Sequence, residues 1–116
     1  MSTHASLGVK FPDGEILGCY VHYDGGTLKP RIVDYLKKHT MTNLVLLIIR
    51  AQTTGGMRSF HSPRAEANGT FSSPKTDFLE DTKPHVITRA NWADGSLAES
   101  YFWLVDYETG TIHTTT

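Results

Sequence analysis

Two short strand-like segments joined by Pro12-Asp13-Gly14-Glu15, an amphipathic segment of helical spacing after Gly25-Gly26, and an aromatic strand pair towards the C-terminal end indicate an α+β fold. The arrangement expected is a small antiparallel sheet, made of an N-terminal hairpin and a C-terminal meander, with one or two helices packed on one face.

Residues 5–11 alternate apolar with small or polar side chains, and residues 16–22 do so again after the turn. Asp13-Gly14 supplies the positive φ that a tight hairpin turn needs, and Pro12 fixes the entry to it. Leu7, Val9 and Phe11 then share one face. On the second strand Leu17, Cys19 and Val21 form the set that reads as core, and Gly18, Tyr20, His22 and Asp24 form the other. Gly25-Gly26-Thr27 ends the strand. Pro30 suits the first turn of a helix through residue 39, in which Ile32, Val33 and Leu36 fall at helical spacing, and Lys37, Lys38 and His39 suit the negative pole of its dipole.

The apolar run at 44–49 fits a buried strand or a buried short helix equally well by periodicity. Thr42-Asn43 can cap a helix, whereas the β-branched residues favour a strand; the capping pair tilts the reading towards helix. Residues 52–84 are rich in Gly, Ser, Thr, Pro and Asn with no sustained period, and read as a long irregular loop of the kind that binds something or stays mobile. After Pro84, a strand at 85–89, a turn near Ala93-Asp94-Gly95-Ser96, a strand at 99–107, a turn at Glu108-Thr109-Gly110 and a last strand at 111–113 make the expected meander.

With 116 residues, the chain is expected to form one domain over 1–116. Eleven basic residues against 12 acidic ones give a net charge of -1, without the basic field from which DNA-binding domains draw their affinity, so no DNA partner is expected. The lone Cys19 fits a buried free thiol in a reducing compartment. The start of the chain has no apolar core of a secretory signal, and the longest apolar run is far too short to cross a bilayer. The expected location is therefore the cytoplasm, with no membrane contact.

Three chemistries have candidate residues. His22 and Asp24, two apart on one strand, suit an acid/base pair, although an aspartate before glycine is also an ordinary turn former. Gly55-Gly56-Met57-Arg58-Ser59, with His61, Arg64 and Lys75, makes the middle segment locally basic and able to hold an anion; Tyr101 and Trp103, sharing one side of their strand, would add stacking if they faced outwards. No HExxH, CxxC or close His/Cys cluster is present, so no metal or cofactor is expected. A nucleophilic Cys19 would need exposure and a neighbouring base, and its strand face points inwards.

Tyr20-Val21-His22-Tyr23-Asp24-Gly25, with Ser100-Tyr101-Phe102-Trp103-Leu104-Val105-Asp106, resembles a group of small proteins of bacteriophages and their bacterial hosts that carry a Tyr-Cys-His-Trp-Asp-Gly-Tyr-like signature. The resemblance covers residues 5–50 and 84–113, with Val21, Tyr23 and Gly26 departing from the signature. It implies the fold and a phage-like origin; taken with the absence of a catalytic motif, it makes the first reading a phage-type accessory protein, non-catalytic, that binds and inhibits a host protein in host takeover or anti-defence inside the host cell. Binding of a small anionic ligand such as a signalling nucleotide, through Arg58, His61, Arg64, Tyr101 and Trp103, is the alternative reading. A small hydrolase built on His22 and Asp24 is the second alternative, and a homodimer is compatible with all three.

Overall fold

The computed structural model describes residues 4–23, 25–62, 68–69, 75–80, 83–94 and 101–115. Strands β1 (Ala5–Lys10) and β2 (Ile16–Val21) form the expected N-terminal hairpin, with Leu7 opposite Cys19 and Gly8 opposite Gly18. The turn closes as anticipated. The N–H of Gly14 donates to the Phe11 carbonyl at 2.9 Å, Gly14 stands at φ 89°, and the Asp13 carboxylate accepts from the N–H of Glu15 at 3.0 Å.

A 3-10 turn, Gly25–Thr27, leads into α1 (Leu28–Lys38), which buries Leu28, Ile32 and Tyr35 at spacings of four and three. The helix starts two residues before Pro30, and Val33 lies exposed on its outer side. The ambiguous apolar run belongs to a second helix, α2 (Met41–Thr54). Its start is set by Thr40 and Asn43: the N–H of Asn43 donates to Thr40 Oγ1, and the N–H of Thr40 donates to Asn43 Oδ1, both at 3.1 Å. Gly55, at φ 93°, ends it, and the N–H of Gly56 donates to the Ala51 carbonyl at 2.8 Å. Leu44, Ile48, Ala51 and Gln52 form its buried stripe, and a fully buried Leu or Ile contributes roughly 1.5–3 kcal/mol.

The expectation of an irregular loop over 52–84 needs correction. Residues 52–54 finish α2, and two strands follow, β3 (Met57–Ser62) and β4 (Lys75–Phe78), paired antiparallel. Their pairing shifts register between Met57 and Ser59 and again between Ser59 and Ser62, which breaks the alternation from which a strand is recognised. The C-terminal meander also needs correction. The strand expected at 85–89 shrinks to β5 (Ile87–Thr88), and a short helix, α3 (Arg89–Asp94), follows directly, with Asn91 Oδ1 accepting from the N–H of Thr88 at 3.1 Å. The last two strands, β6 (Tyr101–Asp106) and β7 (Ile112–Thr115), form an antiparallel hairpin, but β6 pairs with β1 in parallel, Leu7 opposite Trp103. Of the turn expected near residues 93–96, Ala93 and Asp94 instead close α3, and residues 95–96 lie outside the described residues.

The fold is thus α+β, as expected, with a mixed rather than antiparallel sheet, in the order β4-β3-β2-β1-β6-β7; β5 lies against β2. Helices α1 and α2 cover the face bearing Ala5, Leu7, Val9, Cys19, Val21, Trp103 and Val105. Alternation sends Ser6, Gly8, Lys10, Ile16, Gly18, Tyr20, Phe102, Leu104 and Asp106 to the opposite face. There α3 lays Trp92 over Gly8: a Cβ at that glycine would come within 3.1 Å of Trp92 Cζ3. Among the described residues the two sheet faces are therefore covered unequally, two helices on one and the short α3 on the other. Among the described residues no helix is long and apolar enough to cross a membrane.

Candidate functional site

His22 sits where β2 passes into the turn, on the face opposite α1 and α2. The N–H of His22 donates to the Met57 carbonyl at 2.8 Å, and that of Tyr23 to the Arg58 carbonyl at 2.9 Å, so β3 fixes the backbone beneath both rings. The His22 ring stacks on His4 with centroids 4.8 Å apart and meets Tyr23 edge-on at 4.6 Å. Its Nδ1 shares a hydrogen bond of 2.8 Å with Tyr20 Oη, and Tyr20 in turn stacks against His85 at 6.1 Å. His4, Tyr20, His22, Tyr23 and His85 thus form a continuous row of rings. Neither His4 nor His85 was singled out by the sequence; both reach the row through the alternation of β1 and through the segment before β5. Asp24, the other half of the expected acid/base pair, lies outside the described residues.

His61 is not a loop residue. It belongs to β3, is buried at 7% exposure, and stands at φ 48°, a left-handed conformation unusual for a residue other than glycine. That conformation lets Phe60 and His61, neighbours in sequence, both turn to the helix side, where both rings pack on Tyr35, at 5.5 and 5.3 Å. His61 Nε2 lies 2.7 Å from Asp34 Oδ2 on α1. An ionised carboxylate only accepts, so Nε2 carries the proton of this bond. The same bond, followed by the nearby Lys38, holds the Asp34 carboxyl below the usual range against a smaller opposing effect of desolvation. His39 packs at a tilt against Tyr35, 4.4 Å between centroids, and Arg31 Nη1 donates to the Phe60 carbonyl at 3.3 Å. Asp34 escaped the sequence reading because it is 27 residues from its partner and looks like any polar position on an amphipathic helix.

Of the five residues expected to hold an anion, the four that are described do not gather. Arg58 is exposed on β3, His61 is turned under α1, and Arg64 lies outside the described residues. Tyr101 and Trp103 do share a side, stacked at 6.4 Å, but it is the helix side: Trp103 is buried in the core. Strands β2 and β1 separate β3 from β6, about 14 Å at the usual strand spacing, more than one small anion spans. Cys19 is fully buried, and desolvation pushes its thiol pKa up, away from the thiolate that a nucleophile requires. Among the described residues no three His, Cys, Asp or Glu side chains are grouped so as to hold a metal ion.

Comparison with family models, curated proteins and solved structures returns no match. What the chain does is therefore argued from its own surface. On α2 the buried stripe holds only part of the apolar content. Leu46 and Ile49, one turn apart on the other side, are 57% and 43% exposed. A helix with apolar residues on its outer face as well as its inner one is ordinarily covered on both.

Proposed function

We propose that this protein acts by binding another protein through the outer face of α2, without chemistry of its own. The exposed pair Leu46 and Ile49 carries the reading. Two large aliphatic side chains on a rigid, capped helix make the kind of anchor that fills a groove on a partner, and removing them from water is the gain that drives such docking. The resemblance of the Tyr20–Gly25 and Ser100–Asp106 segments to small phage proteins supports a partner in the bacterial host, with inhibition of that partner as the consequence of docking.

The test is capture from bacterial lysate with the wild-type chain and with a Leu46→Lys, Ile49→Lys variant, after circular dichroism has shown both to be folded. A stoichiometric protein held by the wild type and lost by the variant is the expected result. Recovery of no partner, or equal recovery by both chains, would overturn the proposal. So would a wild-type dimer that the variant reduces to monomer, since the face would then serve self-association.

A further inference from the structure

On the sheet face opposite α1 and α2, two adjoining hollows open beside Lys10. One, of about 250 Å3, is lined by Lys10, Gly14, Ile16, Arg89, Trp92 and Leu104. The other, of about 240 Å3, is lined by Lys10, Leu104, Asp106 and His113. Lys10 and Leu104 border both, so together they form a trough with Trp92 and Arg89 in one half, Lys10 shared between the halves, and Asp106 and His113 in the other. Each hollow alone is a little below the roughly 300–1,000 Å3 of small-ligand sites, so a ligand of nucleotide size would span both.

The walls are set by packing. Trp92 is held edge-to-face against Phe102, 5.9 Å between centroids, and rests over Gly8, whose partner across the hairpin is Gly18. Lys10 makes no ion pair within 4.0 Å among the described residues, but it lies near enough to the Asp106 carboxylate to help hold that carboxyl below its usual range. Among the described residues Arg89 pairs with Glu15, at 3.8 Å, with both side chains 61% exposed, a separation and exposure at which an ion pair is worth little. Asp106 Oδ1 accepts from the N–H groups of Glu108 at 2.9 Å and Thr109 at 3.0 Å in the β6–β7 turn, and these bonds, that of Thr109 first, hold its carboxyl below the usual range and so ionised as an acceptor.

We infer that this trough binds a mononucleotide, with the phosphate between Lys10 and Arg89, the base against the Trp92 indole and the ribose hydroxyls towards Asp106. A guanidinium and an ammonium lining one hollow suit a phosphate, and an indole face accepts any base, so the site selects for a phosphorylated nucleoside more than for one base. It lies on the opposite side of the sheet from Leu46 and Ile49 and does not rest on protein binding by α2. It also differs in place from the anion site expected at Arg58, His61 and Arg64.

The test is isothermal titration of the full chain with AMP, adenosine and inorganic phosphate, read alongside tryptophan fluorescence. AMP is expected to bind and to quench Trp92, with adenosine and phosphate each about tenfold weaker or more, since each loses one part of the recognition. Lys10→Gln is expected to weaken AMP about tenfold, the loss of one charge-assisted contact. Trp92→Leu removes the quenching, Arg58→Gln changes nothing, and the buried Trp103 emission reports that each variant is folded. No heat from AMP at millimolar concentration would overturn the inference. Unchanged AMP affinity in both Lys10→Gln and Trp92→Leu would overturn it too, as would inorganic phosphate binding as tightly as AMP.

Discussion

His61 Nε2 lies 2.7 Å from Asp34 Oδ2, and the residue that makes this bond holds its backbone at φ 48°. A left-handed histidine persists only where its surroundings hold it there, and here the bond to α1 and the packing on Tyr35 do so. The bond ties β3, whose pairing with β4 is broken by two register shifts, to the helix above it.

Strain at that position separates two substitutions that both remove the imidazole. Asparagine tolerates the left-handed region and valine does not, so His61→Val is expected to be less stable than His61→Asn by about 1–2 kcal/mol in urea unfolding. Equal stabilities would mean that the backbone relaxes at no cost.

The same bond predicts an acid limb. The folded-state pKa of Asp34 is lowered, first by the His61 hydrogen bond, from an ordinary value of 3.8. Its contribution is therefore complete above the unfolded-state value and disappears as pH falls through the lowered folded-state value. The stability difference between wild type and Asp34→Asn should hold at pH 5 and shrink below about pH 4. Denaturant titrations at several pH values check it; a difference that grows on acidification would contradict it.

Gly56 and Gly110 both have positive φ, at 135° and 74°, but only one of them is crowded. A Cβ at Gly56 would lie 2.5 Å from the Tyr20 carbonyl oxygen, whereas one at Gly110 meets nothing within 4 Å. Gly110→Ala is expected to cost about 1 kcal/mol, from backbone conformation alone. Gly56→Ala, which must also move β2 or β3, is expected to cost about 2–4 kcal/mol. Thermal or denaturant unfolding of the two variants distinguishes them.

Cys19 is buried, and burial raises its thiol pKa. In the native protein it should react with a thiol reagent only as fast as the structure opens, and promptly in denaturant. Rapid native labelling at neutral pH would show that the β1–β2 core is not closed.

How much of this was readable beforehand follows the range of the interactions. The N-terminal hairpin was, because Pro12-Asp13-Gly14 determines its turn within three residues. The strand-or-helix ambiguity of 44–49 is settled by Thr40 and Asn43, one turn upstream, and by Gly55; the same Thr-x-x-Asn spacing recurs at Thr88 and Asn91, where a longer strand was expected. Strands β3 and β4 were hidden by their bulged pairing and by two successive buried residues, Phe60 and His61. The parallel pairing of β6 with β1, and with it the inward turn of Trp103, depends on contacts about a hundred residues apart that no local pattern encodes. Of the candidate site, His22 and its face were legible; its ring partners His4 and His85, and the trough at Lys10, Arg89 and Trp92, arise only when separate strands and α3 meet.

Docking through α2 is tested most directly by photocrosslinking in bacterial cells, with benzoylphenylalanine placed in turn at positions 46, 49 and 86. Val86, also exposed and apolar, is the control away from α2. A single adduct of one defined mass from positions 46 and 49, and none from 86, is the result predicted. No adduct from 46 or 49, or the same adducts from 86, would contradict a dedicated docking face on that helix.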